Sequence, residues 1–107
     1  MEYCMHDWVL VNIIVEWNKG RVILNIDRYR YKTSEQVVAN NFSKLEVPRR
    51  YEWGESETIN EITGPIQLDS GQYRFSIEMQ SGDVIEIDAE SLDMPDSALL
   101  TNFNVSP

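Results

Sequence analysis

The chain has 107 residues, which is enough for one hydrophobic core and too few for two. Hydrophobic residues make up 42 % and charged residues 25 %, a balance that argues for a globular domain and against disorder. The formal charge of −9 argues against a nucleic-acid surface, which needs clustered Lys and Arg.

In chain order, Trp8 to Trp17 reads as a strand with Val9, Val11, Ile13, Val15 and Trp17 on the buried face and Asn12 and Glu16 on the other. Asn18-Lys19-Gly20-Arg21 supplies a turn, after which Val22, Leu24 and Ile26 alternate with polar residues. The parity switch from odd to even predicts an even loop, and Ile23 is left to face outward, toward a second layer. Asp27 to Lys32 mixes charge with tyrosine and suggests a cation–aromatic patch of Arg28, Tyr29, Arg30 and Tyr31. Asn40-Asn41 marks a turn or bulge, which places one strand near 42–47, a short one before it, and a stop at Pro48. A short strand at 57–62 is expected to end before the breaker Gly64-Pro65. Asp69-Ser70-Gly71 then turns into the clearest hairpin, Tyr73 to Met79 against Ile85 to Ala89. A three-residue loop Gln80-Ser81-Gly82 keeps parity, so Ile77 should face Ile85, Phe75 face Ile87 and Arg74 face Asp88. The weakly patterned segment 91–107 carries Leu92, Met94, Leu99, Leu100 and Phe103 and is expected to pack on the domain, with one helical turn after Pro95. The predicted fold is therefore all-β: a single antiparallel sandwich or open barrel of six to seven short strands, spanning 1–107 as one domain.

The charge is unevenly placed. Residues 1–50 hold six acids and eight bases, whereas residues 51–107 hold twelve acids and Arg74 alone, a net of +2 against −11. One strongly acidic surface would steer basic protein partners toward the domain. No apolar run approaches the roughly 18 residues of a membrane span. Residues 1–7 carry Glu2 and Asp7 without a Lys or Arg, unlike a secretory leader, so a cytoplasmic location is expected. The lone Cys4 fits a reducing compartment.

The residues that point to binding lie at 48–56, where Arg49, Arg50, Tyr51 and Trp53 combine the types that dominate interface hot spots. The competing reading buries Trp53 as a core plug. A second candidate is the acidic set Asp83, Glu86, Asp88 and Glu90, of which the last three alternate along one strand. Alternate residues on a strand stand roughly 6.6 Å apart and do not converge on a cation, so a solvated acidic face is expected and no metal. The only histidine, His6, lies two residues from Cys4 with no orienting third group, so neither a catalytic site nor a cofactor is expected.

The strings Met5-His6-Asp7-Trp8, Val47-Pro48-Arg49-Arg50 with Trp53-Gly54, and Glu78-Met79-Gln80-Ser81-Gly82-Asp83 resemble a group of small, uncharacterised bacterial all-β proteins of about this length, over most of the chain to Pro95. In general character the chain is also similar to toxin-immunity proteins. The resulting expectation is a non-enzymatic protein-binding module, an immunity-type inhibitor of a basic partner, with a small-ligand or carbohydrate-binding β domain as the alternative.

Overall fold

The branched apolar runs form six strands in a computed structural model that describes residues 3–28, 34–50 and 57–99. They are β1 (Val9–Glu16), β2 (Arg21–Asp27), β3 (Ser34–Glu46), β4 (Ile59–Gln67), β5 (Tyr73–Met79) and β6 (Val84–Asp93). All pair antiparallel in one sheet of order β1-β2-β3-β6-β5-β4. The sheet is two three-stranded meanders, β1–β3 and β4–β6, joined where β3 lies against β6. It curls until its edges meet at one end. There Asp7 N donates to Ile59 O (2.9 Å), Ile59 N to Trp8 O (2.8 Å) and Leu10 N to Glu57 O (2.8 Å). The arrangement is an open barrel, closed among the described residues by backbone bonds at one corner.

Every second residue turns inward, and the interior is built from these positions. Val22, Leu24 and Ile26 on β2, Val37 and Ala39 on β3, Phe75 and Ile77 on β5, and Ile85, Ile87 and Ala89 on β6 are at most 3 % exposed. Burying each large side chain among them contributes about 1.5–3 kcal/mol against the chain entropy it costs. Met5, Trp8 and Ala98 close one end of this core. The N-terminal segment is tied there to a short 3₁₀ turn, Asp96–Ala98, through Cys4 N donating to Ala98 O (2.8 Å).

The C-terminal hairpin has the predicted register: Phe75 pairs with Ile87, Ile77 with Ile85 and Arg74 with Asp88. Gly82 takes the left-handed conformation (φ 99°) that its tight loop requires, donating to Met79 O at 2.9 Å. The first hairpin also has an even loop, four residues between paired Glu16 and Arg21.

Three expectations are corrected. On β1 a bulge at Val11 shifts the parity: Leu10, opposite Ile26, replaces Val9 and Val11 on the inner side, while Val11 is 53 % and Trp17 81 % exposed. The apolar run there gives no polar marker from which to read the shift. The two strands expected around Asn40-Asn41 are one, because Asn41 adopts a positive φ of 49° and the chain continues through an irregularity near Phe42. Likewise β4 runs through Gly64-Pro65 to Gln67. It is an edge strand, where a missing N–H costs no ladder bond, and the pairing skips a step between Thr63 and Ile66.

Candidate functional site

The open end of the barrel holds a cleft of about 310 Å³ between the start of β1, the segment following β3 and the β5–β6 turn. Its floor is apolar, from Leu10, Ile13, Met79 and Ile85, and its rim carries Val47, Arg49, Glu57 and Asp83. A broader hollow continues past Arg49 and Arg50 toward Gly82 and Val84. Such a concave apolar floor with a few polar groups is the general form of a binding site.

Asp83 organises this corner. Although only 5 % exposed, its carboxylate accepts from Arg50 N (3.1 Å) and Ser81 Oγ (3.1 Å). It thereby fastens the 47–50 segment to the hairpin turn, in which Met79 N donates to Asp83 O at 2.8 Å. The structure thus brings together Arg49, Arg50 and Asp83, which belong to two different candidate sets along the sequence. Tyr51 and Trp53 lie outside the described residues.

The other acidic candidates have different surroundings. Glu86 and Asp88 face outward from β6 but are not bare. Arg74 grips Asp88 with two bonds, Nε to Oδ1 (2.8 Å) and Nη2 to Oδ2 (2.9 Å), and lies 3.2 Å from Glu86. Lys44 bonds Glu86 at 2.6 Å and lies 3.5 Å from Glu46. The hydrogen bond from Arg74 holds the Asp88 carboxyl below its ordinary value, against the opposing effect of burial. The same geometry raises Lys44, chiefly through its bond to Glu86. This face is a cross-strand ion network rather than a solvated acidic surface. Glu90 stands apart from it, exposed and accepting from Asn41 Nδ2 (2.8 Å).

His6 Nδ1 donates to Asn60 O (2.6 Å), and Nε2 lies 3.4 Å from the Asp7 carboxylate, which it pairs with when the ring is protonated. Of the expected aromatic patch only Arg28 is described, and it stacks over the Trp8 ring at 5.7 Å, where its charge rests on the π face. Among the described residues no three His, Cys, Asp or Glu converge as metal ligands, and no helix is long and apolar enough to cross a membrane. The floor residues Leu10 and Met79 were not legible as a site, since apolar residues on alternating strands look alike whether they line a core or a cleft.

The architecture places the chain among all-β antiparallel open-barrel folds. No family model matches it, and neither does any curated protein. A solved structure that is similar is the crystal structure of an uncharacterized protein from Neisseria gonorrhoeae, with a TM-score of 0.54 and 17 % sequence identity, covering 86 % of this chain and 93 % of that one. The likeness is one of fold.

Proposed function

We propose that this chain is a non-enzymatic protein-binding module that receives a basic partner at the open-end cleft, acting in the cytoplasm in the manner of an immunity-type inhibitor. The observation that carries the reading is the cleft itself: an apolar floor flanked by Arg49, Arg50 and Asp83, on a rigid hairpin and beside an interstrand segment. Loops held by a rigid sheet are where binding residues concentrate, and Arg is among the residue types most often found at energetic centres. The net of −11 over residues 51–107 adds steering toward a basic surface.

The test is capture of a basic protein from the native host by the immobilised chain, repeated with Val47→Asp and Val11→Asp. Both residues line the cleft and are exposed, at 43 % and 53 %, so the fold tolerates the change. One salt-sensitive basic partner, lost with both variants, is the expected result. Equal capture by the variants moves the site elsewhere. The size of the cleft, near the lower limit of about 300 Å³ for small-molecule pockets, favours a small ligand as the second reading. A metabolite that raises the unfolding temperature and is abolished by Val11→Asp, with no protein captured, would establish that reading instead.

A further inference from the structure

The two edges of the sheet are built differently. The β4 edge is guarded in the ways natural proteins guard against strand addition: Pro65 without an N–H, two register breaks, and the charge of Glu61. The β1 edge has none of these beyond its bulge at Val11. Its start is already paired on the outer side, Val9 and Leu10 with Glu57–Ile59, but from Val11 to Val15 it carries no charge and no proline, and no described strand pairs with it there. Val11, Ile14, Val15 and Trp17 are 53, 43, 45 and 81 % exposed. The one charged residue of the strand, Glu16, is already neutralised by Arg21 at 2.6 Å.

We propose that β1 pairs with β1 of a second copy, antiparallel about a two-fold axis at Ile14, to give a symmetric dimer with a continuous twelve-stranded sheet. The outer face supplies the register. Across β1, β2 and β3 it carries three rows: Asn12–Asn25–Gln36, Ile14–Ile23–Val38 and Glu16–Arg21–Asn40. The first is a hydrogen-bonded amide ladder, with steps of 2.7 and 2.8 Å. With Ile14 on the axis, the apolar row continues unbroken into the second copy. Asn12 meets Glu16 of the second copy, an amide opposite a carboxylate. On the other face Ile13 meets Val15. Each like meets like, and no two equal charges stand opposite. Moving the axis to Ile13 sets Asn12 against Ile14 and Leu10 against Glu16, which mismatches both pairs.

Charge favours the same arrangement. Pairing through β4 would bring together strands of the half of net −11, whereas the β1 edge is uncharged from Val11 to Val15. A two-fold interface needs a self-complementary patch, and this strand is one. The inference does not rest on the cleft reading, but the two share residues: Val11, Asn12 and Ile13 also line the cleft, so a dimer would cover that wall of it.

Sedimentation velocity over a concentration series should show a monomer–dimer equilibrium. Ile14→Lys, which sets two like charges face to face, should weaken the dimer by about tenfold or more while leaving the unfolding midpoint of the monomer in place. The register is tested separately by cross-linking in a Cys4→Ser background. Ile14→Cys should form a disulfide dimer readily, since residues on the axis stand within the roughly 4.4–6.8 Å that a disulfide spans. Ile23→Cys, one strand further on the same face, should not. A monomer at every concentration overturns the proposal, as does a dimer indifferent to Ile14→Lys. Equal cross-linking at both positions overturns the register, and if Ile14→Lys fails to fold the cross-linking pair still decides.

Discussion

Asp88 is 7 % exposed and faces the outer side of the sheet, a placement sustained by the two bonds from Arg74. A carboxylate taken out of water needs such a partner, because its own hydration is lost. Folding lowers its pKa below the ordinary 3.8, chiefly through the Arg74 hydrogen bond, so the native state binds the acid proton less tightly than the unfolded chain does. The stabilisation is complete above the unfolded value and drains away as pH falls through the lowered one. Replacing Arg74 with Met should therefore move the acid-unfolding midpoint to higher pH, followed by tryptophan fluorescence. Arg21→Met, which frees the more exposed Glu16, should move it less. Coincident midpoints for wild type and Arg74→Met would show that the pair contributes nothing. Within the barrel the energetics are apolar. Ile87 is fully buried between Phe75 and Leu45, its cross-strand partners, so Ile87→Ala should cost about 2–5 kcal/mol in chemical denaturation. An unchanged midpoint would remove it from the core.

At the scale of strands, β4 shows where local signals mislead. Gly64-Pro65 looks like a chain break, yet the strand passes through it because it lies at the sheet's edge and can skip a pairing step. Gly64 makes the passage possible: its φ is +99°, and a Cβ there would collide with the carbonyl oxygen of Arg74. Gly64→Ala should destabilise the fold by more than about 1 kcal/mol, since it meets both backbone strain and a clash. Gly71→Ala, at φ +90° with open space around it, should cost less. A smaller loss at Gly64 than at Gly71 would mean that β4 relaxes away from Arg74. The β5–β6 hairpin was legible to the residue because Arg74, Ser76, Glu86 and Asp88 mark the outer positions between apolar ones, and the glycine fixes the loop. For β1 the sequence offers no such contrast. Val9 to Val15 is apolar on both parities apart from Asn12, so a one-residue bulge leaves no trace. The candidate site was legible in part for the same reason. Arg49 and Arg50 stand out as chemistry, but their proximity to Asp83 depends on β3 lying beside β6, a pairing between strands far apart in sequence.

For the whole molecule, what matters is how charge is distributed over a sheet that joins two meanders. The first half of the chain has a positive balance of +2, and taken alone it would look competent to hold phosphate. Among the described residues, part of that charge is held internally. Arg21 bonds Glu16 at 2.6 Å, Lys44 bonds Glu86 at 2.6 Å, and Arg28 lies over the Trp8 ring at 5.7 Å. In the acidic half Arg74 is committed to Glu86 and Asp88. Binding a phosphate backbone gains its energy as clustered cations displace its condensed counterions, and a cation already held by a carboxylate is less able to do so. The remaining carboxylates repel a polyanion from any approach closer than the Debye length of about 8 Å at physiological salt. A fluorescein-labelled single-stranded oligonucleotide should thus show no rise in anisotropy with this protein at about 0.15 M salt. Lowering the salt should not produce one, because reduced screening strengthens the repulsion as much as any attraction. A salt-sensitive rise would mean that Arg49 and Arg50 present enough positive charge at the cleft to outweigh the acidic half. It would move the cleft from protein recognition to nucleic-acid recognition, and Arg49→Glu with Arg50→Glu should then abolish it.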